Sequence, residues 1–211
     1  MSTNAEHPAR DPPVDIYVRP AQLGDICVLL EPTDQGELRL LRQRQLALQA
    51  CFGGKPIENV HLTCQRFESQ EERSIERLVR DLERALAEVE PCSCTAIGLQ
   101  TLYVPVLQTN ILKWTIRTTQ EVQCFATLVE ETLIAREILP LYRSGFVSSL
   151  IAALRDVPEP IPDRLLDDET FAYPLFTPGK VVLSRIVGPS RFEILATLPL
   201  TRSLPQSTDR V

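Results

Sequence analysis

The sequence predicts an α+β fold built from two similar halves. The predicted elements follow the order strand, helix, strand, helix, strand, strand, helix, helix, strand, strand. Each half holds an apolar strand, a long amphipathic helix and further strands. Strands and helices do not alternate one by one, as they would in a doubly wound parallel sheet. No low-complexity linker or short-period repeat divides the chain into independent units.

Composition excludes several classes of function. The 211 residues are 44% hydrophobic and 24% charged, which is typical of a globular protein. No apolar run approaches the ~18 residues of a membrane span. The net charge of -6 disfavours a basic face that grips long nucleic acid, although a local cleft for one phosphate is compatible with it. We therefore expect neither a membrane nor a long nucleic acid as partner.

The ends of the chain and its cysteines indicate the cellular setting. Residues 1–14 and 201–211 are polar and are predicted to be a mobile arm and a flexible tail around one domain, 15–200. The start lacks the apolar core of a secretory signal. Cys92 and Cys94 form a lone C-x-C without the second pair that a structural zinc site needs. The sequence predicts a reduced, cytoplasmic protein without metal or cofactor.

The first half carries two strands and two helices. Apolar patterning predicts strands over 25–31 and 59–67 and helices over 35–51 and 70–89. Thr33 and Asp34 are suited to cap the first helix. Ser69 and Glu72 have the spacing of a capping box for the second. The arginines of that helix interleave with acidic residues, which is typical of a solvated face.

The second half is less regular. The pattern predicts strands over 95–106 and 110–117, a helix from Thr118 or Thr119 to about 138, and a shorter helix over 145–155. The stretch 157–168 holds three prolines and four acidic residues and is predicted to be an extended connection or a lid. Two final strands are predicted over 180–187 and 192–199.

The candidate chemistry begins with the one histidine that falls inside a predicted element. His61 and Thr63 lie two residues apart on a strand, which puts both side chains on one side of the sheet, roughly 6–7 Å apart. An imidazole moves a proton near neutral pH, and a threonine hydroxyl bonds a phosphate oxygen. The pattern suits half of a phosphoryl site. The alternative, a strand histidine bonded to a carbonyl, stays open.

The surroundings of this pair are similar to those of a known family. The resemblance rests on three segments, which are DICVLLEP, HLTCQRF and PGKVVLSRI. They resemble the 2H phosphoesterase superfamily, which contains the 2'-5' RNA ligase-like proteins and bacterial RNA cyclic phosphodiesterases. The resemblance implies two pseudo-symmetric lobes of antiparallel sheet with outer helices around a central cleft. Each lobe would give one His-x-Thr/Ser strand, and His61-Leu62-Thr63 matches the first.

The second motif departs from the family pattern. Lys180 stands where the family has histidine, and Val182 where it has threonine or serine. The resemblance implies that one histidine acts as base and the other as acid on a 2',3'-cyclic phosphate or related diester. A lysine is ordinarily a fixed cation at neutral pH, so Lys180 would bind phosphate rather than carry protons. Ser184, two residues beyond Val182, partly replaces the lost hydroxyl or is a solvent-facing strand serine.

Three functions follow from these residues. The first is binding of a nucleotide or short RNA phosphodiester, with impaired or no cyclic phosphodiesterase or 2'-5' RNA ligase activity. The second is an altered phosphoric diester hydrolase with His61 as its one proton carrier, and the third is a non-catalytic interaction scaffold. Tyr173 and Phe176 precede the second motif and either stack a base at the cleft or pack in the core.

Overall fold

The computed structural model describes residues 16–87, 89–90, 92–104, 108–117, 119–143, 150–158, 173–188 and 191–200. The predicted arm at 1–14, the tail at 201–211 and most of the connection at 157–168 lie outside the described residues. None of the described helices is long and apolar enough to cross a membrane.

Three helices begin close to where the sequence predicts them. They are α1 (Gln35–Phe52), α2 (Glu72–Leu86) and α3 (Gln120–Ile134). Asp34 caps α1 by accepting a hydrogen bond from the Glu37 amide at 2.8 Å, and Thr119 caps α3. The predicted capping box of α2 is wrong, because its N-cap residue is Glu71 and no side chain caps it. Packing of the apolar stripe, rather than a cap, therefore fixes α2.

The strands differ in length and form one antiparallel sheet. They are β1 (Ile16–Tyr17), β2 (Ile26–Pro32), β3 (Lys55–Pro56), β4 (Leu62–Phe67), β5 (Cys94–Val104), β6 (Thr109–Ile116), β7 (Tyr142–Arg143), β8 (Leu150–Arg155), β9 (Tyr173–Phe176), β10 (Pro178–Gly188) and β11 (Arg191–Pro199). The main path runs β11-β10-β2-β4-β8-β6-β5-β9, and the short strands β1, β3 and β7 attach beside it.

The sheet consists of two lobes. The first lobe is β11-β10-β2-β4 and the second is β8-β6-β5-β9. They meet where β4 runs beside β8, and one residue pair, Leu62 with Ile151, joins them there. The predicted α+β class, with antiparallel lobes and outer helices, is confirmed.

Alternation along the strands separates a large core from a smaller second face. Ile26, Val28 and Leu30 are buried in the main core, together with the apolar stripes of the helices. The residues between them, Cys27 and Leu29, belong to a separate small cluster on the opposite side of the sheet. We call this opposite side of β2, β4 and β10 the site face, because His61 lies beside it. Because the helices cover one face of the sheet, strand alternation places the intervening side chains on the opposite face.

The predicted short helix over 145–155 is wrong for its described part. Leu150–Arg155 is strand β8, paired with β6 through Leu112–Leu154 and Thr115–Leu150. The run Leu-Ile-Ala-Ala-Leu has residue types that suit a helix, and periodicity cannot separate a short buried strand from a buried helix. Cross-strand packing against β6 decides the structure, which a local pattern does not report.

Candidate functional site

His61 lies just before β4 with its ring half-buried. Its Nδ1 lies 2.7 Å from the carbonyl oxygen of Asn59. A carbonyl only accepts, so Nδ1 carries the proton and Nε2 of the neutral ring is the acceptor. Burial lowers the pKa of the imidazole, against the opposing effects of the Asn59 hydrogen bond and the Glu31 charge. At neutral pH the ring is therefore an uncharged base.

A row of polar residues crosses the first lobe at the level of His61. Glu31 of β2 pairs in register with Lys180 of β10, and Leu30 pairs with Leu62. Extending the pairing of β2 with β4 by one residue, from Leu30–Leu62, places His61 beside Glu31. The Lys180 ammonium lies 2.9 Å from the Glu31 carboxylate. His61 and Lys180 therefore share one face, with their backbones roughly 10 Å apart and Glu31 between them.

The structure corrects the expected origin of Lys180. The sequence interpretation assigned its strand to the lobe opposite His61, but β10 belongs to the same lobe as β4. The strand that meets β4 from the other lobe is β8. The local twofold axis of that antiparallel pair relates position 61 to 150 and position 63 to 152. Those positions hold leucine and alanine, which have neither an imidazole nor a hydroxyl.

Thr63 occupies the next row of the site face. It pairs with Leu29, which pairs in turn with Val182. Thr63 is half-buried, whereas Val182 and Leu29 are buried in the small apolar cluster. The Thr63 hydroxyl thus borders an apolar floor, where a hydrogen bond to an anion is stronger than in water.

Ser184 is buried rather than solvent-facing. It is 1% exposed, pairs with Cys27, and its Oγ has no hydrogen-bond partner among the described residues. Both sequence-based interpretations of this serine, a phosphate ligand and a surface residue, need an accessible hydroxyl. The side chain is covered in this structure, so we leave Ser184 out of the candidate site.

Tyr173 and Phe176 lie on β9, at the far edge of the second lobe. Phe176 is 1% exposed in the main core. The Tyr173 hydroxyl accepts a hydrogen bond from Trp114 at 2.6 Å, and the Arg44 guanidinium lies 4.1 Å from the centre of its ring. Three strands separate β9 from β4, so these rings pack the second lobe and do not reach His61.

The aromatic side chain beside His61 is one that the sequence analysis missed. The Phe192 and His61 rings lie 6.3 Å apart between centroids, in an edge-to-face arrangement. Phe192 lies on β11 and is 42% exposed. The strand pattern of 192–199 was recognised, but no local signal brings residue 192 to residue 61. The twist of the sheet and the long β10–β11 hairpin do so.

A concave surface of the described residues lies away from the site face. A concavity of about 850 Å³ lies between α2 and the β10–β11 hairpin, lined by residues such as Val79, Arg185 and Glu193. It does not include His61. Among the described residues, no group of three or more His, Cys, Asp or Glu is placed to hold a metal ion. We therefore define the candidate site by its side chains.

Two antiparallel lobes with outer helices define a fold of the 2H phosphoesterase type. Solved structures with this fold include Escherichia coli LigT complexed with 3'-AMP, with 14% sequence identity and a TM-score of 0.60 over 86% of this chain and 100% of that one. A phosphoesterase crystal structure shows 13% identity and a TM-score of 0.59, with 85% of this chain and 99% of that one covered.

The protein TT0787 of Thermus thermophilus is also similar, with 17% identity and a TM-score of 0.55 over 85% of this chain and 100% of that one. No family model matches the chain, and no curated protein matches it. These likenesses show the fold.

Proposed function

We propose that this protein binds a phosphodiester or nucleotide on the site face, in the reduced cytoplasmic setting that its sequence predicts, and that its cyclic phosphodiesterase or ligase activity is impaired or absent. The observation that carries the proposal is the juxtaposition of the His61 ring, the Thr63 hydroxyl and the exposed Phe192 ring. Structures of the same fold include LigT complexes with 3'-AMP, ATP, NADP+ and phosphate.

Different residues of the site contact different parts of the ligand. The Thr63 hydroxyl donates a hydrogen bond to a phosphate oxygen, and Phe192 stacks on the base. His61 Nε2 lies beside the phosphate and donates to it only when the ring is protonated. Lys180 adds positive charge at the edge of the site, weakened by its ion pair with Glu31. A ring 42% exposed beside a phosphate site offers a sequence-tolerant platform, since every base has a π-face.

Weak turnover follows from the missing second proton carrier. Opening a 2',3'-cyclic phosphate by water needs a base for the water and an acid for the leaving oxygen. His61 supplies one such group, while the positions that the local twofold relates to His61 and Thr63 hold Leu150 and Ala152. Loss of one acid–base group typically lowers the rate 10²–10⁴-fold. The alternative, a slow hydrolase in which His61 works alone as base, is favoured by the neutral state of its ring.

Thr63→Val tests the phosphate site. We expect this substitution to weaken binding of 2',3'-cyclic AMP about tenfold, because a hydrogen bond to a charged group is lost. Calorimetric titration measures the affinity, and chromatography of the same mixtures measures any nucleoside monophosphate formed. Thr197→Val is the matched control, since Thr197 is an exposed threonine on β11 and is not part of the proposed site.

The outcomes separate the three functions. Saturable binding without product, weakened by Thr63→Val alone, supports the proposal. Product that accumulates with turnover supports the hydrolase alternative. Absence of binding to wild-type protein would leave only the scaffold and overturn the proposal.

Phe192→Ala tests the base platform. We expect about tenfold weaker binding of 2',3'-cyclic AMP, because base–aromatic stacking contributes about 1–3 kcal/mol per base. Binding of inorganic phosphate, which has no base, is expected to stay within about twofold. Ile194→Ala is the control, since Ile194 lies two residues along β11 and is more exposed than Phe192. Equal losses for phosphate and nucleotide would contradict a stacking role.

A further inference from the structure

Strand β6 presents a cation and a hydroxyl to the side of the sheet away from its core. Leu112, Trp114 and Ile116 are completely buried in the main core. The residues between them, Lys113 and Thr115, therefore face the other way. A lysine followed two residues later by a threonine repeats the spacing of His61 and Thr63 on the other lobe.

Register places this pair in the same rows as His61 and Thr63. Lys113 pairs with Ala152 of β8, and Ile151 of β8 pairs with Leu62 of β4. Because β4 and β8 are antiparallel, residue 152 lies opposite His61. Lys113 is thus two strands from His61, with a backbone separation of roughly 10 Å.

Thr115 lies at the same distance in the neighbouring row. It pairs with Leu150, and antiparallel register puts residue 150 opposite Thr63. The two lobes thus bring two pairs of like spacing to the join between β4 and β8. The strand between them contributes leucine and alanine.

Electrostatics agrees with this placement. The charge of Lys113 is one of the groups that act on the His61 ring, and it lowers the pKa of the imidazole. Lys113 is only 6% exposed, so its ammonium sits where water screens little. The Lys180 side chain is 31% exposed and lies 2.9 Å from the Glu31 carboxylate. The charges that act on the pKa of the His61 ring are those of Glu31 and Lys113.

We propose that Lys113 and Thr115 of the second lobe form the second phosphate-binding arm of the site, opposite His61 and Thr63. The inference rests on the proposed function and assigns the second arm to β6 rather than to β8 or β10. The ligand is a phosphate monoanion of the diester class, bridged between the lobes. The Lys113 ammonium contacts one non-bridging oxygen as a point charge, and the Thr63 hydroxyl donates to the other, beside the His61 ring.

Substituting each of the chain's three lysines with methionine provides the test. Lys113→Met is expected to weaken 2',3'-cyclic AMP at least tenfold by calorimetric titration, and Lys180→Met less than about threefold. Lys55→Met is the control for net charge, because Lys55 lies on the exposed strand β3 and pairs with Asp156. Lys113→Arg keeps the charge and is expected to retain most of the affinity.

A ligand-free readout keeps the inference separate from the proposed function. Nuclear magnetic resonance titration of the His61 ring is expected to give a higher pKa in Lys113→Met than in the wild type, because a nearby cation is removed. If the wild type binds 2',3'-cyclic AMP and Lys113→Met binds it with the same affinity, the assignment of the second arm is overturned and the proposed function stands. Equal losses in all three lysine variants also overturn it, as an effect of net charge. Absence of binding to the wild type overturns both.

Discussion

Replacing Asp25 with alanine is expected to lower the free energy of unfolding by about 3–5 kcal/mol. Asp25 is 3% exposed and accepts two parallel hydrogen bonds from the Arg19 guanidinium, at 2.8 and 2.9 Å. It also accepts from the Gln22 amide at 3.0 Å, and the Arg66 guanidinium lies 3.6 Å away. Removal of the carboxylate takes the opposing charge from the buried Arg66 side chain, and that loss is the costly step.

Urea unfolding followed by circular dichroism measures this change. Glu68→Ala is the control, because Glu68 is 66% exposed and contacts the same Arg19 at 3.3 Å. A surface pair of this kind contributes about 0–1 kcal/mol. Similar losses of unfolding free energy in Asp25→Ala and Glu68→Ala would show that the burial of Asp25 does not determine its contribution to stability.

The Asp25 cluster also bears on the site. Asp25 lies on the same side of β2 as Cys27, Leu29 and Glu31, at the opposite end of the strand from Glu31. The Ile186 amide donates to the Asp25 carbonyl, and the Gly24 amide donates to the Ile186 carbonyl. These backbone bonds continue the pairing of β2 with β10 beyond Ile26, so the cluster lies at one end of the register that pairs Glu31 with Lys180.

Local sequence signals predicted the elements whose stability is local. The apolar stripe of α2 and the caps Asp34 and Thr119 depend on residues three or four apart, which the sequence displays directly. The shared face of His61 and Thr63 follows from strand alternation in the same way. The α+β class follows from the order of these elements.

Long-range pairing was not predictable from the same signals. Lys113 looks like one charged residue in an apolar strand until β8 and β4 place it in the row of His61. Lys180 was assigned to the wrong lobe because its flanking pattern, Leu-x-Arg, is short and does not report which strands pair. Phe192 reaches His61 through the twist of a long hairpin, 131 positions away along the chain.

The affinity for 2',3'-cyclic AMP is expected to rise roughly 10–100-fold as pH falls from about 8 to about 5, and this rise is expected to vanish in His61→Asn. Burial and the Lys113 charge lower the pKa of His61, so the ring is neutral at pH 7. Protonation places a positive charge beside the bound phosphate. A cyclic diester stays a monoanion throughout this range, so the ligand itself does not titrate.

The same shift predicts the opposite trend for stability. The unfolded chain binds a proton at the ordinary histidine pKa of about 6.5, while the folded chain resists protonation until the pH is lower. The contribution of His61 to the free energy of unfolding is therefore fully present above about pH 6.5 and is lost as pH falls below it. Wild-type protein loses stability relative to His61→Asn in that window, while its affinity for the diester increases.

A wild-type affinity that does not change with pH, or a rise in affinity that persists in His61→Asn, would assign the anion to groups other than this imidazole. The two opposite trends have one origin, because the bound phosphate adds negative charge beside the protonated ring, where the described part of the free protein has only the Glu31 carboxylate, already paired with Lys180.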